Sequence, residues 1–120
     1  MTVNAPAPAN APAGAPAYAR TASRFLKALS NPNRLMLLCL LNQGERTVSE
    51  LEAALGLRQP AISQQLARLR AEGLVTGRRS GKSIRYRIAS DAARQALQLI
   101  DALFGDPEGA QADPSQAAPR

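Results

Sequence analysis

The 120-residue chain has no histidine, no tryptophan and a single cysteine. Without an imidazole it has no histidine general base, no Ser-His or Cys-His pair and no imidazole metal site. One cysteine excludes a disulfide within the chain, a zinc cluster of several thiolates and a Cys-x-x-Cys redox pair. Nucleophile-base pairs and phosphate-cradling glycine loops are missing too, so neither enzymatic activity nor a bound cofactor or metal is expected. Long apolar runs are also lacking. The longest, Leu35 to Leu41, is far short of the roughly 20 residues that span a bilayer. The N-terminus lacks the basic start and apolar stretch of a secretory signal. These features predict a cytoplasmic protein without a membrane partner.

Acidic residues are few: 15 Lys and Arg face 9 Asp and Glu, a net charge of +6. The imbalance is local. Residues 58–87 hold Arg58, Arg68, Arg70, Arg78, Arg79, Lys82, Arg85 and Arg87 against the single acid Glu72. A segment this positive suits a polyanion, nucleic acid first, with a solvated, solubilising face as the plainer alternative.

Composition divides the chain into three parts. Residues 1–17 are an uncharged Ala/Pro-rich arm with Pro6, Pro8, Pro12 and Pro16, expected to be disordered because proline removes backbone donors and favours extended conformations. Residues 106–120, with Pro107, Pro114 and Pro119, are expected to be a disordered tail. The folded unit is then 18–105, small enough for self-association to aid its stability.

Tyr18, Ala22, Phe25 and Leu29 have the spacing of a helix that stops near Ser30. Asn31 as N-cap and Pro32 at the first helical position open a second. Its run from Leu35 to Leu41 is apolar on every side, which predicts a central buried helix. Thr47-Val48-Ser49-Glu50 has the form of a capping box and starts a short helix closed by Gly56. Another helix begins at Gln59-Pro60, buries Ile62, Leu66 and Leu69, and ends at Gly73. Two short helices joined by a tight turn make a helix-turn-helix. Residues 74–78 and the alternating run Ser83 to Ile88 then form a β-hairpin turning at Ser80-Gly81. Asp91 to Phe104 is a final helix whose apolar stripe is longer than the hairpin can cover. The expected fold class is mainly α with a small β-hairpin, a winged helix-turn-helix in the order α-α-α-α-β-β-α.

Ala61, Gln64, Gln65 and Arg68 recur on one face of the fourth helix, turned about 110° from its buried line. With Gln59 and the small Ser63, this face is predicted to enter a major groove, where Gln can pair with adenine, Arg with guanine, and Ala contact a thymine methyl. An ordinary polar surface is the alternative. Arg78, Arg79, Lys82 and Arg85 cluster near the hairpin tip, within reach of phosphates or a minor groove, or they guard an exposed edge against pairing.

The stretches Ala28 to Leu35, Ser49-Glu50-Leu51, Gln59 to Leu66 and Leu69 to Val75 together resemble the ArsR/SmtB family of winged-helix repressors, within it the non-metal branch containing HlyU, BigR, SqrR and NolR. The resemblance implies a homodimer built on the first and last helices, placing Phe25, Leu29, Leu97, Ile100 and Phe104 at the dimer contact. It also implies a double-stranded palindromic operator and repression relieved by an inducer. Departures from the family pattern bear on that inducer. Thr47 and Ser49 stand where arsenic, cadmium and lead sensors carry cysteines. Asp91 and Asp101 are poor substitutes for thiolate or imidazole. Members that sense persulfides or oxidants pair a cysteine on the second helix with one ending the last; Cys39 matches the first, and Gly105 falls at the second. Cys39 is therefore either a core residue with a raised pKa or a single-site sensor of reactive sulfur or oxidant. A repressor with no small-molecule switch and a winged-helix protein-interaction module are the alternatives.

Overall fold

The computed structural model describes residues 14–105. Most of the expected arm, and the whole of the expected tail, lie outside them. The described residues form α1 (Tyr18–Leu29), α2 (Pro32–Gln43), β1 (Arg46–Thr47), α3 (Val48–Leu55), α4 (Gln59–Ala71), β2 (Val75–Ser80), β3 (Ser83–Ile88) and α5 (Asp91–Phe104). No helix among them is long and apolar enough to cross a membrane.

The helix boundaries follow local chemistry. Asn31 Oδ1 accepts a hydrogen bond from the Arg34 amide at 3.1 Å, with Pro32 beginning α2. The Thr47 hydroxyl accepts from the Glu50 amide at 3.2 Å, while Glu50 Oε1 accepts from the Thr47 amide at 2.8 Å. Both halves of the capping box are thus made. Gly56 closes α3 in the left-handed conformation, φ 68°, and leaves only Gly56 to Arg58 between α3 and α4. The Ser90 hydroxyl caps α5 through the Ala93 amide at 3.0 Å.

The hairpin is one strand short of the actual sheet. β3 pairs antiparallel with β2 from Val75↔Ile88 to Ser80↔Ser83, and on its other side with β1 through Arg46↔Tyr86 and Thr47↔Arg85. The order is β1-β3-β2. β1 has only two residues and a partner far along the chain, so no periodicity announces it. The turn is Gly81-Lys82, one residue later than expected, with Gly81 at φ 64°. At Gly77 a Cβ would sit 2.9 Å from Ile84 Cγ2 and 3.1 Å from Tyr86 Cε1. The bare backbone there makes room for two side chains that pack across the wing.

The core joins α2, α3 and α4. Leu37, Leu38, Leu51, Ile62, Leu66 and Leu69 are its fully buried large side chains. Leu74, Val75 and Ile88 bring the base of the wing against it, and Ala93 and Leu97 anchor α5.

One expectation needs correction. α2 is not buried all round: Met36 is 44% exposed and Cys39 is exposed. Both face a groove of about 590 Å³ between α2 and α5, lined also by Leu40, Ile100, Asp101 and Phe104. The residues expected at a dimer contact differ in their exposure within the single chain. Leu29 and Leu97 belong to the core of the single chain, Phe25 packs partly against it, Ile100 is half-buried in the groove, and Phe104 is exposed. Besides Phe104, the large apolar side chains left open on these two helices are Tyr18, Leu26, Leu99 and Leu103. Helical spacing marks an apolar face but not which of two layers it meets, and here α1 and α5 carry apolar residues toward both.

Candidate nucleic-acid interface

α4 is held by Ile62, Leu66 and Leu69 in the core, which turns Gln59, Gln64 and Arg68 to solvent. Ala61 and Ser63 are half-buried beside them. Gln59 Nε2 donates to the Ser63 hydroxyl at 3.2 Å, tying down the first turn of the helix. Arg58 and Arg70 add exposed positive charge at its two ends. Between α4 and β3 lies a shallow cleft lined by Ser63, Arg70 and Tyr86, so helix and wing form one continuous surface.

Gln65 differs from its neighbour Gln64. It is half-buried, and its Oε1 accepts a hydrogen bond from Arg34 Nη1 at 3.2 Å. Its amide oxygen already accepts one hydrogen bond within the protein, leaving one lone pair and the NH2 group.

The four wing residues also divide. Arg78 forms a two-pronged ion pair with Glu45, Nε to Oε2 at 3.1 Å and Nη2 to Oε1 at 2.8 Å. Arg87 lies 3.8 Å from the same carboxylate, and Arg85 lies 3.5 Å from Glu50. Arg79 and Lys82 have no acidic partner among the described residues. The charge excess of residues 58–87 is thus partly balanced by acids earlier in the chain, and Arg79 and Lys82 carry the uncompensated part at the tip. These pairs leave their mark on the acids. Hydrogen bonding from Arg78 holds the Glu45 carboxyl below the usual carboxylate range, and the Thr47 amide does the same for Glu50, helped by Arg85.

Cys39 lies in the groove with Asp101 and Gly105. Partial burial, and secondarily the Asp101 carboxylate, push its thiol pKa up. Accessibility and a disfavoured thiolate therefore coexist at this sulfur. At Gly105, the position the resemblance pairs with Cys39, a Cβ would lie 2.5 Å from the Asp101 carbonyl oxygen and 2.6 Å from its Oδ1. The chain lacks the second cysteine and, as folded, has no space for one.

Residues 31–76 match the family described as "Bacterial regulatory protein, arsR family". The biofilm growth-associated repressor of Agrobacterium fabrum is 52% identical over 83 residues, 69% of this chain and 71% of that protein. The crystal structure of the transcriptional repressor BigR from Xylella fastidiosa superposes with a TM-score of 0.69 at 44% identity, covering 72% of this chain and 89% of that one. A homodimeric winged helix-turn-helix DNA-binding domain from Mycobacterium bovis aligns with a TM-score of 0.62 at 37% identity, over 70% of this chain and 78% of that one.

Proposed function

The chain belongs to the arsR family of bacterial regulatory proteins, a winged-helix transcriptional regulator rather than an enzyme, and from that we propose that it is a homodimeric repressor reading a palindromic operator. Gln64, with Gln59, Ala61, Ser63 and Arg68 around it, reads base edges in the major groove. Arg79 and Lys82 hold phosphates, joined by Arg78 and Arg85 when DNA draws them from their carboxylates. The observation that carries this reading is the pairing of surfaces: an exposed Gln/Arg face on α4 adjoins a wing whose tip holds two cations without acidic partners among the described residues.

Dimerisation places two such surfaces about a two-fold axis, with half-sites one or two helical turns apart, one turn being ~34–36 Å. The exposed Tyr18, Leu26, Leu99 and Leu103 on α1 and α5 supply the apolar contact. The homodimeric Mycobacterium bovis relative supports the same assembly. A thiol-directed inducer, reactive sulfur or oxidant, has only Cys39 to act on. The raised pKa and the missing second thiol favour a repressor without a dithiol switch.

The test is enrichment of duplexes from a random pool by the full-length protein, followed by affinity across a salt series. A two-fold symmetric sequence bound more weakly as salt rises is expected. A protein that retains no duplex even at low salt is not a DNA-binding repressor.

A further inference from the structure

We propose that Arg34 is a positioning residue that turns the NH2 group of Gln65 outward as its contact with DNA, favouring guanine, thymine or a phosphate oxygen over adenine. The proposal rests on the DNA-binding reading above and concerns what one side chain of α4 can offer.

Arg34 sits in the first turn of α2 and is 9% exposed. Its Nε donates to the Ala28 carbonyl at 2.9 Å and its Nη2 to the Lys27 carbonyl at 3.4 Å. Those carbonyls belong to the last turn of α1, where intrahelical donors run out and the helix dipole is negative. A guanidinium is favoured there on both counts. Its backbone is fixed too, because its own amide is capped by Asn31. The remaining prong, Nη1, therefore reaches α4 from a rigid base and meets Gln65 Oε1 at 3.2 Å.

The orientation of the Gln65 amide follows from chemistry. A guanidinium carries five donors and no acceptor, so the amide must turn its oxygen to Arg34 and its NH2 away. Nε2 makes no hydrogen bond among the described residues. A glutamine reading adenine uses both ends, accepting from N6 and donating to N7. Gln65 is held with its NH2 turned away from Arg34 and one lone pair of its oxygen taken, which favours donation to guanine O6 and N7, thymine O4 or a phosphate oxygen over the paired donation and acceptance that sets adenine apart, adenine N7 alone being shared with guanine. Gln64, one residue earlier and exposed, keeps both ends. Adjacent glutamines on one helix thus follow different recognition rules, set by an arginine thirty-one residues away from Gln65.

The experiment is selection from a random duplex pool with full-length wild type, Gln65→Met and Arg34→Met, with affinities measured on the winning and scrambled duplexes. If Nε2 meets a base, the wild type favours guanine or thymine at one position, Gln65→Met erases that preference with roughly a two- to tenfold loss of affinity, and Arg34→Met admits adenine there. If Nε2 meets a phosphate, Gln65→Met weakens all duplexes alike by a similar factor. Adenine preferred by the wild type at the Gln65-dependent position overturns the proposal. So does a Gln65→Met protein indistinguishable from wild type, an outcome independent of whether Arg34→Met folds. Wild type that retains no duplex overturns the DNA reading itself, whereas those two results leave it standing.

Discussion

Glu45 grips Arg78 through both carboxylate oxygens, fastening the loop after α2 to the second strand of the sheet, thirty-three residues on. The bond exists only in the folded chain, and it lowers the Glu45 pKa below its ordinary value. A carboxyl with a depressed folded pKa contributes stability above its unfolded pKa, near 4.3, and loses it as pH falls through the folded value. Glu45→Gln should therefore melt below wild type at pH 7, and the gap should close on acidification below about pH 4. Thermal melts by circular dichroism across that range decide it; a gap that widens in acid contradicts the assignment.

Within the wing, the two cations without acidic partners among the described residues should dominate nonspecific affinity. Replacing Arg79 and Lys82 by Ala is expected to weaken binding to every duplex and flatten the salt dependence by about 0.9 in log-log slope for each phosphate no longer neutralised. Gln64→Ala should leave that slope alone and cost about 1–3 kcal/mol at particular base pairs. Fluorescence anisotropy titrations at several salt concentrations separate the two effects.

In the proposed dimer, exposure on α1 and α5 separates the residues expected at the contact from those that stabilise the single chain. Leu99→Glu with Leu103→Glu should give a folded monomer with poor operator affinity. Leu97→Ala, at a site 3% exposed, should lower stability by about 2–5 kcal/mol while leaving the assembly intact. Sedimentation and denaturant unfolding measure these separately. Wild type sedimenting as a monomer at micromolar concentration would rule out the dimer.

What the sequence disclosed and what it hid have a common physical origin. Asn31-Pro32 and the Thr47/Glu50 box act within a turn, so their helix starts can be read locally, and the α5 bounds match the expected Asp91 to Phe104. Glu45 with Arg78 and Arg34 with Gln65 join residues more than thirty apart, and the sequence alone leaves Arg78 and Gln65 free. β1 escaped for the same reason, being two residues long with its partner in β3. Cys39 looked buried because its neighbours along the chain are apolar; exposure depends on what lies opposite, and α5 leaves a groove there.

The thiol of Cys39 is expected to alkylate slowly at pH 8, and faster as pH rises beyond the ordinary thiol range near 8.5. Asp101→Asn should quicken the reaction at pH 8, since the Asp101 carboxylate is one cause of the raised pKa. Timed iodoacetamide labelling read by intact mass checks both. Polysulfide or mild oxidant should add mass at one sulfur and create no cross-link within a chain. Cys39→Ser should keep operator affinity in reducing buffer. A large, thiol-reversible loss of affinity confined to wild type would instead make Cys39 a single-cysteine sensor.

Thr47 ends β1 and also caps α3. The sheet and the helix-turn-helix therefore share a residue, and neither can detach without straining the other. If β1 peels from β3, the cap of α3 loses its anchor; if α3 frays, the pairing of Thr47 with Arg85 goes with it. The wing is thus no independent hairpin. Its amides and those at the start of α3 should exchange with solvent through one shared opening event, with matched protection.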